Sequence, residues 1–265
     1  MDKMILGRYL KLDSWIHHLD PRTKLLASFY FILIVFLANN LATYVALTGF
    51  MVLAVVLSKV PLGFFLKGVR PLILLILVTV AFQVFFMRGG QVYFHQGPIM
   101  ITQAGVIGGA FIFARLVLII FMSTLLTLTT APLELTDGIE HLFQPLTRFG
   151  FPAHEIALML AIALRYVPTL MDEAGKIMNA QRSRGVEFDQ GSLMQRMKSI
   201  IPILVPLFIS AFNRAEEMAL AMEARGYRGA QGRTKYRQLT LTRQDLFAWL
   251  GLVVLTGILL YLRQF

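Results

Sequence analysis

Residues 105–130, GVIGGAFIFARLVLIIFMSTLLTLTT, hold a single ionisable side chain, Arg115. A hydrocarbon core of about 30 Å is crossed by about 20 apolar residues wound as a helix, because lipid offers no partner for an open backbone. The run therefore reads as a transmembrane helix, and its surroundings extend the reading. Between residues 21 and 133 there is no Asp or Glu, a composition foreign to a water-facing surface. The 265 residues are 57% hydrophobic and 15% charged, against about 45–50% and 25% in soluble domains. The fold class expected is an all-α polytopic membrane protein.

Working outward, residues 41–57, 71–87 and 246–262 also qualify as spans. Residues 25–38 form a shorter apolar run, read as a fifth span joined to the next by an Asn39-Asn40 turn, with Thr23 and Lys24 completing it by snorkelling. Lys and Arg in short loops set orientation. With the N-terminus in the cytoplasm and the C-terminus outside, 22 of the 25 basic residues fall inside. The net charge of +10 is then a topology signal. No basic stripe interleaved with aromatics points to nucleic acid. The N-terminal segment lacks a signal peptide's basic-then-apolar order, which predicts an uncleaved start. No cysteine is present, which excludes disulfides and thiol chemistry.

The connection from Arg88 to Gln103 carries Val92-Tyr93-Phe94 and Ile99-Met100-Ile101 around Gln96-Gly97-Pro98, the pattern of a small β-hairpin capping helix ends. Ala104, Gly105, Gly108, Gly109 and Ala110 make a small-residue face suited to close helix packing. Arg115 has two readings of equal weight, a pathway or partner group or a side chain snorkelling to an interface.

Residues 131–245 are long enough for a domain and carry fourteen basic and twelve acidic side chains. The division expected is 1–130 (N-terminal segment and four spans), 131–245 (a cytoplasmic domain of three helices) and 246–265 (the last span). Within that domain Ile139, Leu142, Phe143 and Leu146 keep an amphipathic helical spacing. Two later helices begin with apolar blocks, 156–164 and 200–212, too short to span, and then turn polar. Such helices fit a start at the bilayer or a membrane partner and an end in the cytosol. Pro168, Pro202 and Pro206 would bend them or mark first turns. Seven of the thirteen methionines (Met159, Met171, Met178, Met194, Met197, Met218 and Met222) lie on these helices, the composition of adaptable binding faces as well as of cores. His141 and His154 show no metal-ligand arrangement and read as surface histidines; no cofactor or metal is expected.

The two long helices end alike. Ser183-Arg184-Gly185 closes the first and Ala224-Arg225-Gly226 the second, and a shift of 41 residues also superposes Ile177 on Met218 and Ala180 on Ala221. Glycine past the last turn is a left-handed cap, and arginine there complements the helix dipole. Repeated at two ends, the triplets suggest guanidinium forks offered to a partner, each with a small neighbour that allows close approach.

A membrane enzyme would need carboxylates or nucleophiles at bilayer depth, and Asp245 stands at the edge of the last span without an evident partner. A secondary transporter would show repeated halves. No Gly-x-x-x-x-Gly-Lys-Ser/Thr loop occurs, so any nucleotide hydrolysis comes from another chain. A conventional ABC permease subunit is the nearest alternative, with one principal coupling helix where this chain has two arginine-tipped ones.

The chain resembles the transmembrane (T) component of energy-coupling factor transporters, the EcfT/CbiQ family. Gly7-Arg8-Tyr9, Ser14, His18 and Leu19-Asp20-Pro21-Arg22-Thr23-Lys24 look like the family's entry segment, and the two small-Arg-Gly triplets like its paired Ala-Arg-Gly signatures, with Ser183 for Ala in the first. The resemblance implies a non-catalytic scaffold in the plasma membrane of a prokaryote. It also implies two cytoplasmic ABC-type ATPase partners docking at Ser183, Arg184, Gly185, Ala224, Arg225 and Gly226. A small membrane S component that binds a vitamin or other micronutrient would contact Ile139, Leu142, Phe143, Leu146, Met159, Leu160, Ile203, Leu204, Leu207 and Phe208.

Overall fold

Asp20 starts the first helix. Its carboxylate accepts the backbone N–H of Arg22 at 2.8 Å, and Pro21, which has no N–H to orphan, takes the first helical position. The structure, a computed structural model, describes residues 9–96, 99–188, 190, 192–229 and 238–264. Gly7 and Arg8 of the N-terminal motif, Lys3 of the charge count and Gly97-Pro98 of the hairpin lie outside the described residues.

Helix α1 (Pro21–Val35) closes through Phe36, Leu37 and Ala38, whose N–H groups reach back three residues. Asn40 then caps α2 (Leu41–Ser58) in a reciprocal box with Thr43. With 15 residues, α1 alone is short of a bilayer. Its flanks make up the length: Asp20 N–H donates to Asp245 in the first turn of α9 (Arg243–Leu262), and Asn40 Nδ2 donates to Leu262 O at the far end of α9. Residues 20–40 thus cover the depth of a 20-residue helix, about 30 Å. Lys24 takes no part by snorkelling. It is 5% exposed, and its Nζ donates to His17 O and Thr129 O at 2.8 and 3.0 Å, because the chain before α1 folds over it.

Helices α3 (Leu62–Val69) and α4 (Ile73–Phe86), joined by a 3-10 turn at Arg70–Leu72, form one apolar stretch. Strands β1 (Val92–Gln96) and β2 (Ile99–Thr102) pair antiparallel as the hairpin that the sequence predicts, and a bulge between Val92 and Phe94 is added to it. Helix α5 (Gln103–Thr129) follows, capped by Thr102. Its small-residue face meets α4: a methyl group added at Gly105 would sit 2.7 Å from Val84 O, and one at Gly109 2.9 Å from Val84 Cγ2. The bundle core includes Phe31, Leu47, Phe65, Leu128, Leu252 and Leu259.

Arg115 sits within α5, yet its Nη2 reaches Ala38 O at 3.4 Å and its guanidinium covers the Phe36 ring at 5.2 Å. It therefore serves the Ala38 carbonyl just past the end of α1.

The chain divides into two compact units, residues 1–138 with 238–265, and residues 139–237. Helix α6 (Pro132–Phe143) straddles the boundary. It stops at Phe143 because Pro145 has no N–H to offer the His141 carbonyl four residues back, so Leu146 falls in the following 3-10 turn, Gln144–Phe149. The second unit then holds α7 (Ala153–Ser183) and α8 (Leu193–Ala224).

Among the described residues six helical stretches are long and apolar enough to cross a membrane: Leu41–Ser58, Leu62–Phe86, Gln103–Thr129, Ala153–Ser183, Met194–Ala224 and Arg243–Leu262. The set differs from the sequence expectation of five. Helix α1 is too short by itself. Helices α7 and α8 enter because they run unbroken through their prolines, beyond the apolar blocks by which the sequence measured them. The protein is a multi-pass, all-α membrane protein.

Candidate coupling site

The functional candidates lie at the ends of α7 and α8, and the two ends are built by the same hydrogen bonds. In the first, Gly185 N–H donates to Arg182 O and Val186 N–H to Gln181 O, both at 3.0 Å. In the second, Gly226 N–H donates to Glu223 O at 2.8 Å and Tyr227 N–H to Met222 O at 3.0 Å. This is a Schellman closure, with arginine at the last half-helical position and glycine one step beyond. The glycines have φ of +83° and +71°. Nothing lies within 4 Å of a methyl group built on either, so backbone conformation, not space, demands them.

The closures tie up the last carbonyls and leave the side chains outward. Ser183, Arg184, Gly185, Ala224, Arg225 and Gly226 are all exposed. Among the described residues neither Arg184 nor Arg225 makes a side-chain hydrogen bond or ion pair. Arg182, two residues before Arg184, instead lies over the Phe188 ring at 5.8 Å and fastens the chain leaving α7.

How α7 and α8 meet decides where these ends stand. Arg214 Nη2 donates to Glu173 Oε2 at 2.9 Å, and Ser210 also hydrogen-bonds that carboxylate. Glu173 and Arg214 are 41 residues apart, the repeat interval, so the helices cross at equivalent positions. Further contacts run in opposite senses: Gln181 on α7 reaches Pro202 on α8, while Ile162 and Tyr166 share a cleft with Met218 and Met222. The helices are therefore antiparallel and related by an approximate two-fold axis at the crossing. The expectation that both apolar ends start at one surface and both wet ends point away together is corrected. The arginine tips stand at opposite ends of the pair, each eleven residues past the crossing pair, about 16 Å of helix. Helix spacing by itself could not reveal this, since a tertiary contact between distant residues sets it.

The prolines have a local use. Pro206 has no N–H for Pro202 O, the carbonyl four residues back, and Gln181 Nε2 approaches that oxygen in a long 3.5 Å hydrogen bond.

The apolar candidates are unevenly placed. Phe143, Leu146, Met159, Leu160, Leu204 and Phe208 are exposed. Ile139, Leu142 and Leu207 are half-buried. Ile203, at 9% exposure, is too covered to serve as a contact. Between α6 and α7, His154 Nδ1 lies 3.0 Å from Glu140 Oε1, with both side chains largely covered. His154 is thus a partly buried fastener, not the surface histidine expected, and His141 is half-buried as well. Among the described residues no three His, Asp or Glu side chains are grouped as metal ligands would be.

A polar cluster that the sequence reading missed lies in the first unit. Asp245, which had no evident partner, accepts N–H groups from Asp20 at 2.9 Å and Thr242 at 2.7 Å, and the Thr242 hydroxyl at 2.8 Å. Beside it Arg22 grips Asp20 through Nε and Nη2, both at 3.0 Å, and donates to Leu239 O. His17 Nε2 lies 3.0 Å from Leu10 O and Nδ1 2.6 Å from Ser14 Oγ. A carbonyl only accepts, so the proton is on Nε2 and Nδ1 accepts the Ser14 hydroxyl. Burial holds the His17 pKa below its ordinary value, against the Leu10 carbonyl, which favours the charged form. The residues of the Leu19 to Lys24 motif are thus spent on joining the N-terminal segment, α1, α5 and α9. Only the proximity of Asp20 and Asp245 in space, 225 residues apart, could have shown it.

Comparison with known proteins agrees with this architecture. Residues 13–236 match the family CbiQ, described as cobalt transport protein. The chain is 60% identical over 263 residues to the energy-coupling factor transporter transmembrane protein EcfT of Lacticaseibacillus paracasei, covering 99% of this chain and all of that one. It is 54% identical over 264 residues to the EcfT of Listeria innocua, covering both chains in full. Identity to the EcfT of Bacillus subtilis is 49% over 263 residues, 99% of each chain. With a multi-pass helical bundle and two matched arginine-tipped helices, the chain belongs to the EcfT/CbiQ family of energy-coupling factor transporter transmembrane proteins.

Proposed function

We propose that the chain is the energy-coupling scaffold of an ECF-type ABC importer. Two cytoplasmic ATPase subunits dock one on each arginine tip, Arg184 with Ser183 and Gly185, and Arg225 with Ala224 and Gly226. A membrane-embedded S component carrying a vitamin or other micronutrient rests on the exposed apolar side chains of α6, the turn after it, α7 and α8, among them Phe143, Leu146, Met159, Leu160, Leu204 and Phe208. The chain itself hydrolyses nothing; it passes ATP-driven movement of the ATPases to the S component. In this reading the N-terminus is cytoplasmic and the C-terminus outside, and α7 and α8 serve as coupling helices.

The observation that carries the reading is the repeated closure. Two exposed guanidinium groups, each anchored by the same backbone hydrogen bonds and placed symmetrically about one crossing, suit two like partners better than they suit helix capping. A planar fork on a fixed backbone is matched to a carboxylate or to paired carbonyls.

The test is purification of Arg184→Ala, Arg225→Ala and the double variant from native membranes, with the co-purifying ATPases quantified. Truncating one side of a desolvated charged contact costs about 2–5 kcal/mol, about 30-fold or more in affinity. Each single variant should lose most of one ATPase contact and the double variant nearly all, with uptake abolished and thermal stability of the chain unchanged. Lys at either position should restore only part of the binding. ATPase recovery and uptake at wild-type level in the double variant would overturn the assignment.

A further inference from the structure

Within the first unit, α2 and α9 do not close on each other along their whole length. A cavity of about 250 Å³ lies between them, backed by α1 and α5 and floored by Trp15 of the N-terminal segment. Three of the polar side chains at its wall are engaged elsewhere. Lys24 Nζ donates to two carbonyls, the Ser28 hydroxyl donates to Lys24 O and the Thr129 hydroxyl to Leu125 O. A water molecule needs two to four polar partners to reside in such a space, and a polar solute would lose its hydration without replacement. The cavity is built for hydrocarbon.

Its mouth says where the hydrocarbon enters. Leu53 of α2 and Phe247 of α9 line the cavity and are 55% and 64% exposed, on two helices that are both long and apolar enough to cross a membrane. The opening is therefore lateral, toward acyl chains. Past one end of the lining residues, Lys59 follows Leu57 on α2 and Arg243 precedes Phe247 on α9. Gly251 of α9 faces Phe50 of α2, a built methyl group lying 3.7 Å from the ring. The helices run antiparallel, because Asn40 at the start of α2 bonds Leu262 at the end of α9. Nine residues from that contact along each helix are Lys59 and Thr242, the latter followed by Arg243, and both basic side chains are exposed.

We propose that this cavity is a phospholipid site, taking one acyl chain of an anionic phospholipid between α2 and α9 with its phosphate held by Lys59 and Arg243. The apolar slot fixes the chain and the paired cations select the headgroup. The site lies wholly within the first unit, so it stands or falls independently of partner docking at the arginine tips.

The chain has two tryptophans, of which Trp15 lines the cavity and Trp249 packs on Tyr30. In a Trp249→Phe background, the full-length chain is reconstituted into phosphatidylcholine vesicles containing a small equal fraction of either chain-brominated phosphatidylglycerol or chain-brominated phosphatidylcholine. Bromine quenches indole emission at contact, so Trp15 reports occupancy. Brominated phosphatidylglycerol should quench at much lower mole fraction than brominated phosphatidylcholine. Lys59→Gln and Arg243→Gln should each weaken that preference about fivefold. Gly251→Leu and Ala54→Leu, which fill the cavity from opposite walls, should remove the quenching by both lipids. If one of them fails to fold by thermal unfolding, the other carries the readout. Equal quenching by the two lipids would overturn the headgroup assignment. Quenching that survives in the folded filled variant, or no quenching in the parent chain, would overturn the cavity assignment.

Discussion

The two units of the chain differ in how much apolar side chain they bury for themselves. The first buries Phe31, Val35, Leu47, Phe65 and Leu259 completely and joins several polar groups in a network around Asp20 and Asp245. In the second, the buried hydrophobic residues among those described are Ala153, Ala157 and Ile203, while Phe149 is 91% and Phe208 65% exposed. The first unit closes around a core of its own. The second is two long helices held at one crossing, with an apolar surface that it does not cover by itself. Long apolar helices with so little core of their own call for a partner, which is why coupling is proposed for the second unit.

Four changes would break or sharpen this contrast. The largest effect should come from Asp245→Ala. It strips hydrogen bonds from the backbone N–H groups of Asp20 and Thr242 inside the first unit and should cost about 3 kcal/mol. It would be seen as a lowered unfolding temperature in detergent, with the arginine tips untouched. In the second unit, Glu173→Ala should leave thermal stability nearly unchanged, because the pair is partly exposed, yet loosen the crossing. Spin labels at Arg184 and Arg225 in an otherwise wild-type chain should give a narrow distance distribution that broadens in Glu173→Ala. It should narrow again in the charge swap Glu173→Arg with Arg214→Glu.

A smaller effect is expected for Gly226→Ala, which forces a side chain into left-handed backbone at about 1–2 kcal/mol locally. Amide exchange should speed up in the last turn of α8 and nowhere else. The smallest is a pH effect at His17. Its folded pKa is depressed, so its contribution to stability is fully present above the unfolded value of 6.5 and is lost as pH falls through the folded value. The unfolding temperature should drop more steeply below about pH 6.5 in the wild type than in His17→Gln.

What the sequence disclosed follows the range of the interactions involved. The spans at α2, α4, α5 and α9 were legible because lipid imposes a composition on every residue of a helix. The hairpin at Val92 and Ile99 and the capping glycines 185 and 226 were legible because turn chemistry is local. The burial of Lys24, the Asp20 to Asp245 contact and the Glu173 to Arg214 crossing were not, since each joins residues that no pattern of neighbours connects. The antiparallel set of α7 and α8 was misread for the same reason. Their apolar starts and polar ends are real, but direction in space belongs to the pair and not to either helix. Arg115 was ambiguous because its partner is the unfinished end of α1, a feature visible only once α1 is known to stop at Val35.

The crossing of α7 and α8 at equivalent residues has a mechanical consequence. Glu173 and Arg214 are the fulcrum of a lever whose two arms, measured to the arginine tips, are of equal length. Turning the pair as a rigid body about that point carries both tips through equal and opposite arcs. A pair of opposed sideways movements applied at the two tips is therefore balanced at the fulcrum and comes out as rotation of the pair, with no net push along it.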